Sequence, residues 1–183
     1  MTRIGLLVAA GAFVLAAPAH AGETYANADA GFEMTLPDVW YRSEPTGNSA
    51  STVAEFTGPD SVASCSISVT KEETFTLETQ DQLNARVAGG ALKDFQLEQV
   101  KAIDPLAATR SQDLVNAQGV TGQRMVMTMS LLAEGSMHFL AEDATAFLIP
   151  GALVMIICTA TQADYDSAGA AIGNLVQSFK STR

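Results

Sequence analysis

Consecutive strand-like segments joined by very short turns constrain the fold of this chain most strongly. The segments span 108–116, 120–132, 137–149 and 152–161, and the turns lie at 118–119, 134–136 and 150–151. Strands that follow one another through such turns pair in antiparallel order, because a parallel pair needs a crossover of a dozen or more residues. The second half of the chain is therefore predicted to form an antiparallel meander.

The last of these segments differs from the others because it is apolar at successive positions. A strand that alternates apolar and polar residues buries one face, whereas a run such as 152–160 buries both. We expect this strand to lie in the middle of a sheet that is covered on both sides. Alternation also predicts shorter strands, at 31–37, 52–56, 62–70 and 99–103.

Helical periodicity replaces the alternation in two places. One helix is predicted over 80–95, where Thr79 and Gln82 form a capping box. Gly89 and Gly90 in its middle cost about 2 kcal/mol relative to alanines. A second helix closes the chain, with an apolar face of Tyr165, Ala168, Ile172, Leu175, Val176 and Phe179. An antiparallel sheet flanked by helices, of the α+β class, is the simplest architecture that buries all these faces.

Residues 1–21 have the composition of a secretory signal peptide. Arg3 supplies a positive charge, an uncharged apolar run follows, and Ala19 and Ala21 are the small residues that signal peptidase requires. The apolar run of about 14 residues is shorter than the roughly 20 that a membrane-spanning helix needs. We predict cleavage after Ala21, a single domain over 22–183 without a membrane span, and a periplasmic or secreted location.

The formal net charge of −10 restricts the partners of the protein. An acidic chain repels the phosphates of nucleic acids and the headgroups of anionic lipids. The same charge helps to keep an exported protein soluble. No nucleic-acid partner is therefore expected.

The sequence contains two cysteines, Cys65 and Cys158. An even number in an exported chain favours a disulfide, because the compartment is oxidising. The competing interpretation is a pair of buried free thiols on strands too far apart to bond. A redox-active pair is not expected, since there is no Cys-x-x-Cys motif and no nearby basic residue to lower a thiol pKa.

Methionines recur at every second position of one predicted strand. Met125, Met127 and Met129 alternate there, and Met137 and His138 follow in the next strand. Thioether and imidazole ligands on one sheet face would suit Cu(I). The competing interpretation is a core face that packs against a helix, because Met137 and His138 have opposite parity and cannot point at one site.

No pattern in the chain specifies catalysis. Glu142 and Asp143 are adjacent and therefore lie on opposite faces of a strand, which makes them a poor acid–base pair. The sequence has no Gly-x-Ser-x-Gly elbow, phosphate loop or dinucleotide fingerprint, and no cofactor is predicted. A hydrolase-type enzyme without a recognisable motif stays open as an alternative function, and so does a periplasmic copper-handling protein.

Two motifs near the ends of the chain resemble those of PsbP-like domains. The first is Gly31-Phe-Glu-Met-Thr-Leu-Pro-Asp-Val-Trp40, a strand that runs into a tryptophan. The second is Ile172-Gly-Asn-Leu-Val-Gln-Ser-Phe179, an apolar helix that ends in Ser-Phe. The resemblance implies an α/β/α sandwich around an antiparallel sheet and a non-catalytic accessory or binding role. It transfers no binding residue to this chain.

The predicted function is therefore that of a non-enzymatic periplasmic accessory or binding protein with a partner in the cell envelope. The candidate partner surface is Trp40 and Tyr41, beside the polar loop 43–51. Loops often carry binding functions, and aromatic residues are enriched at interfaces. Core packing is the competing role for Trp40.

Overall fold

Helices lie on both faces of a long antiparallel sheet in this computed structural model, which describes residues 22–43, 51–133 and 136–183. The strands are β1 (Thr24–Asn27), β2 (Phe32–Thr35), β3 (Tyr41–Ser43), β4 (Thr52–Thr57), β5 (Ala63–Lys71), β6 (Ala108–Ala117), β7 (Val120–Ala133), β8 (Ser136–Ile149), β9 (Ala152–Thr161) and β10 (Lys180–Ser181). The helices are α1 (Gln80–Ala88), α2 (Lys93–Ile103) and α3 (Tyr165–Gln177). The predicted signal peptide at 1–21 and residues 44–50 of the predicted loop lie outside the described residues.

In the described part of the chain, seven strands form one antiparallel sheet in the order β3-β4-β5-β9-β8-β7-β6. β9 is the middle strand and pairs with β5 and β8, which confirms its predicted position. Hairpins join β6 to β7, β7 to β8 and β8 to β9, so the predicted meander is also confirmed. Gly119 and Gly151 in two of the turns have φ of 88° and 84°, which glycine adopts without steric cost.

Helix α3 packs on one face of the sheet, the α3 face. Ile172 and Leu175 of the helix are fully buried there with Phe147 of β8 and Val154 of β9. Burial of such large apolar side chains is the main stabilising contribution in a fold of this kind. α3 thereby covers the centre of the sheet and leaves recesses along its own borders.

Helices α1 and α2 cover the opposite face, the α1–α2 face. Leu83 of α1 packs with Leu148 of β8, and Val100 of α2 packs with Met125 and Met127 of β7. The sheet is therefore the middle layer of an α/β/α sandwich, as predicted. None of the helices within the described ranges is long and apolar enough to cross a membrane.

A small sheet ties the two ends of the described chain to the α3 face. β2 pairs with both β1 and β10. Phe179, which follows α3, stacks between Phe32 and Phe147, with ring centroids 5.4 and 4.2 Å apart. A Cβ at Gly122 would come within 2.5 Å of the Phe147 ring, so glycine makes room for this stack. The two terminal motifs thus meet through aromatic packing.

The predicted single helix over 80–95 is instead two helices. The capping box of Thr79 and Gln82 begins α1 as predicted. Gly90 then takes φ of 93°, a conformation that ends helices and that other residues rarely adopt. The predicted strand at 99–103 is wrong, because these residues form the last turns of α2. A short apolar run has the same periodicity signal in a strand and in a buried helix, and the tertiary contacts decide between them.

Candidate functional site

A disulfide joins Cys65 and Cys158 in the core beneath the α3 face. The two residues are direct cross-strand partners on β5 and β9. They lie 93 residues apart in the chain, so the bond connects the two halves of the sheet. The predicted disulfide agrees with the structure, and the alternative of two distant thiols does not.

Trp40 is buried, whereas its neighbours in the sequence are exposed. The exposed fraction is 8% for Trp40, 75% for Val39 and 53% for Tyr41. The indole packs on Gly58, where a Cβ would come within 3.1 Å of the ring. Trp40 therefore has the core role that competed with the partner-surface prediction, while Tyr41 is available at the surface.

A cleft of about 240 Å³ opens beside the indole of Trp40. This Trp40 cleft is lined by Trp40, Gly58, Pro59, Asp60, Val62, Ala63, Ser167, Ala168 and Ala171. Helix α3 contributes only small side chains to the lining, so the helix and the turn before β5 do not close on each other. The result is a mostly apolar recess whose rim carries one carboxylate.

Backbone strain is concentrated around the Trp40 cleft. Val39, Asp60 and Ser61 have φ of 64°, 53° and 57°. Val39 is the third residue of a turn in which the Trp40 amide donates to the Pro37 carbonyl at 3.2 Å, a position where positive φ favours glycine. For a β-branched residue this conformation is a marked outlier. Such residues persist where the surrounding structure holds them, and they cluster at functional sites.

The first two methionines of the methionine-rich strand belong to the core. Met125 and Met127 are buried among apolar side chains, including Val100 of α2. The register of β7 and β8 places Met137 on the opposite sheet face. The core interpretation explains these residues, so copper handling is not proposed.

A buried charge cluster on the α3 face was not predicted from the sequence. The side chain of Asp143 on β8 is 0% exposed. One of its oxygens accepts a hydrogen bond from Nε of Arg124 at 2.9 Å, and the other accepts one from Nη2. The hydroxyl of Tyr165, the first residue of α3, donates to that second oxygen at 2.7 Å. The cluster joins β7, β8 and the start of α3.

The hydrogen bonds and the burial of this cluster determine the protonation of its members. The hydrogen bond to Asp143 raises the pKa of Arg124 above its usual value, so the guanidinium stays cationic. Burial, followed by the hydrogen bond to Asp143, raises the pKa of Tyr165 to about 12. A general acid or base works best with a pKa near the operating pH. Arg124 and Tyr165 therefore keep a fixed protonation state and a fixed orientation, and they are not suited to transferring protons.

Glu142 points away from this cluster, as the alternation of the strand predicts. Its cross-strand neighbours are Met127 and Thr159, on the α1–α2 face. Burial raises the pKa of Glu142. The structure thus keeps Glu142 and Asp143 apart, on the two faces of β8, where they do not act as one acid–base pair.

A second recess, of about 320 Å³, borders the charge cluster. This charged cavity is lined by Arg110, Ser111, Asp113, Val115, Arg124, Val126, Tyr165 and Asp166. The pairing of β6 with β7 shifts register between Thr109 and Ser111, which places Arg110 in a bulge. One pattern in the sequence points to this region. Alternation along β8 puts Asp143 on the same buried face as Phe147, and the hairpin between β7 and β8 brings β7 beside it.

Solved structures with this arrangement of sheet and helices share little sequence with the chain. The cyanobacterial PsbP of Synechocystis, CyanoP, has a TM-score of 0.59 at 14% identity, with 97% of this chain and 99% of CyanoP covered. The Ran-binding protein Mog1p of Saccharomyces cerevisiae has a TM-score of 0.55 at 9% identity, over 87% and 95% of the two chains. LpqN of Mycobacterium tuberculosis has a TM-score of 0.50 at 13% identity, over 88% and 86%.

The protein has the PsbP-like fold. The structural likeness agrees with the resemblance of the two terminal motifs, and at these identities it establishes the fold alone. No family model matches the sequence, and no curated protein matches it significantly. In this PsbP-like protein the two recesses lie on either side of the first half of α3, the Trp40 cleft towards β5 and the charged cavity towards β6 and β7.

Proposed function

We propose that this PsbP-like protein is a non-enzymatic binding protein outside the cytoplasm, and that its protein partner docks at the Trp40 cleft. The observation that carries the proposal is the mostly apolar recess beside the indole of Trp40, with the exposed Val39 immediately before Trp40 in the chain. Tyr41 is also exposed, but its cross-strand partner Thr57 places it on the opposite face of the sheet from the cleft. Interfaces are commonly anchored by side chains that fill such pockets and by apolar residues that exclude water around them. Val39 holds its positive φ at a cost in stability, in the turn that leads into Trp40.

Three observations support a location outside the cytoplasm. The disulfide between Cys65 and Cys158 is typical of oxidising compartments. Residues 1–21 have the composition of a signal peptide. LpqN, which shares the fold, is named as a protein involved in cell envelope biogenesis, and Mog1p is named as a Ran-binding protein. A binding role in the cell envelope is consistent with both names.

The lining of the Trp40 cleft indicates the chemistry of the partner. The indole of Trp40, the ring of Pro59 and the methyl groups of Ala168 and Ala171 would contact an apolar side chain. Asp60 at the border would pair with a lysine or arginine next to it. The net charge of −10 also favours a basic partner surface through complementary potentials.

Site-specific photo-cross-linking in cells tests the proposal. A photo-reactive amino acid is introduced at Ser167, an exposed residue of α3 that lines the cleft, and, as a control, at Leu77, which is 92% exposed and lies beyond the other end of β5. We expect one discrete cross-linked product from position 167 and none of that size from position 77. Equal products from both positions, or none from position 167, would contradict the proposal.

A matched pair of variants tests whether the cleft itself is occupied. Ala171→Trp places an indole in the cleft, whereas Ala170→Trp places one at the neighbouring exposed position of α3. The first variant should lose the cross-link and the second should keep it, with both folded by circular dichroism. Retention of the product by Ala171→Trp would exclude the cleft as the docking site.

A further inference from the structure

Within the described residues, the guanidinium of Arg124 has more N–H groups than its carboxylate partner engages. Asp143 accepts from Nε and Nη2 but not from Nη1, and the guanidinium also interacts with the Tyr165 hydroxyl. The Arg124 side chain is 24% exposed, and it is held in one orientation by two bonds to a buried carboxylate. A guanidinium fixed in this way loses little side-chain entropy when it binds a planar carboxylate.

Arg110 supplies the second guanidinium of the charged cavity. The β-bulge in β6 lets Arg110 and Ser111, which are neighbours in the sequence, line the same recess. The guanidinium of Arg110 lies over the ring of Tyr165, with its central carbon 5.9 Å from the ring centroid. Bulges are common beside binding sites because they redirect a side chain. Stacking on the ring leaves the N–H groups at the edge of the guanidinium open to a ligand.

Two carboxylates complete the charge pattern of the cavity. Asp113 is the cross-strand partner of Arg124, and Asp166 follows Tyr165 at the start of α3. Together with buried Asp143, these carboxylates outnumber the two guanidiniums around the cavity. The excess of carboxylates would repel a ligand that carries only a negative charge. The two arginines would repel a ligand that carries only a positive charge. A ligand with both charges satisfies each side of the cavity.

The remaining lining is apolar. Val115 and Val126 contribute aliphatic surface between the charged groups. A volume of about 320 Å³ is at the lower end of the range for small-molecule sites, which combine apolar walls with a few placed polar groups. The cavity thus offers donors, acceptors and an aliphatic wall in a space suited to one small molecule.

We propose that the charged cavity binds a free α-amino acid with an aliphatic side chain. The carboxylate of the ligand accepts hydrogen bonds from Arg110 and Arg124. Its ammonium group donates to Asp113 and Asp166, and its side chain packs on Val115 and Val126. This inference is independent of docking at the Trp40 cleft, because the two recesses share no lining residue.

Isothermal titration calorimetry of the full chain with three probes tests the charge requirement. L-leucine carries both charges, isocaproate lacks the ammonium group, and isoamylamine lacks the carboxylate. We expect saturable binding of leucine, and affinities about tenfold or more lower for the two analogues, since each leaves charged groups without a partner. Equal affinity for isocaproate would show an anion site instead, and no heat with leucine would overturn the proposal.

A matched pair of arginine variants tests the position of the site. Arg110→Gln removes the exposed guanidinium from the cavity and should lower leucine affinity about tenfold. Arg42→Gln is the control, because Arg42 also stacks on a tyrosine, Tyr25 at 5.3 Å, but lies outside the cavity. Equal losses in both variants, or none in Arg110→Gln, would contradict the assignment.

A substitution of one acidic residue distinguishes the ammonium site from the carboxylate site. Asp113→Asn should weaken leucine and leave isocaproate unchanged or bound more tightly, because a negative charge has been removed from the cavity. Circular dichroism and thermal unfolding confirm that the variant is folded. A parallel loss for both probes would show that Asp113 does not contact the ammonium group.

Discussion

The two recesses beside α3 are built in opposite ways. The Trp40 cleft is bounded by apolar side chains and by Asp60, whose backbone has a positive φ. The charged cavity is bounded by side chains held in place by hydrogen bonds, above all Arg124 on Asp143. Apolar contact is non-directional and accommodates different partners. Hydrogen bonds to charged groups are directional and select one arrangement of charges.

This difference assigns different tasks to the two sides of one helix. A recess with exposed apolar residues at its rim suits a macromolecular partner, because such a partner buries the rim as well as the recess. A recess whose charges converge on a small volume suits a small ligand. Helix α3 supports both, through Ala168 and Ala171 on one side and Tyr165 on the other.

The largest effect is expected from the disulfide that supports both recesses. Cys158 is the cross-strand neighbour of Asp143, and Cys65 is the neighbour of Phe56. Replacing both cysteines by alanine should lower the free energy of unfolding by about 4 kcal/mol, because the bond closes a long loop. Urea denaturation measures this, and reduced wild type should match the double variant. Coincident curves for the oxidised wild type and the variant would contradict the prediction.

The second-largest effect on stability is expected at the charged cavity, without a change at the Trp40 cleft. Asp143→Ala leaves the half-buried Arg124 without its partner and should cost about 3 kcal/mol in urea denaturation. Asp113→Ala, which removes an exposed carboxylate beside the same arginine, should cost about 0.5 kcal/mol or less. Cross-linking from position 167 in the Trp40 cleft should survive in both. Equal costs for the two variants would show that the buried ion pair does not hold Arg124.

A smaller effect of opposite sign is expected on the cleft side. Val39→Gly should raise the free energy of unfolding by about 1 kcal/mol, because glycine takes positive φ without strain. Val69→Gly, in the regular pairing of β5 with β9, should lower it. Thermal unfolding at one pH gives both values. A loss of stability in Val39→Gly would mean that Val39 is not strained.

An effect of similar size is expected on the charged-cavity side, where it depends on pH. Tyr165 in the folded protein has a pKa of about 12, above the value of about 10 for an unfolded tyrosine. The folded state therefore holds the proton more tightly, and this stabilisation is present below pH 10 and is lost as the pH rises to 12. Tyr165→Phe should cost about 1 kcal/mol at pH 7 through its lost hydrogen bond.

Unfolding measured at several pH values tests that prediction. The difference between wild type and Tyr165→Phe should shrink between pH 10 and pH 12. Tyr41→Phe, at an exposed position, is the matched control and should have the stability of wild type at pH 7. A difference that stays constant across this range would show that Tyr165 does not hold its proton through Asp143.

The local sequence pattern was sufficient to predict the sheet but not every helix. Alternation and short turns predicted the meander and the central position of β9, because each side chain of a strand takes one of two faces. The capping box of Thr79 and Gln82 began α1 correctly. Residues 99–103 were mistaken for a strand, because their few apolar positions match both periods.

Composition and periodicity were enough to predict the antiparallel core, the acidic charge and the two cysteines that could bond. Tertiary contacts were needed to show that Trp40 is buried beside a cleft while Val39 and Tyr41 are exposed. They also brought Arg124, Asp143 and Tyr165 together from two strands and a helix. The physical reason is that periodicity reports which face a side chain takes. What covers that face depends on contacts between residues far apart in the chain.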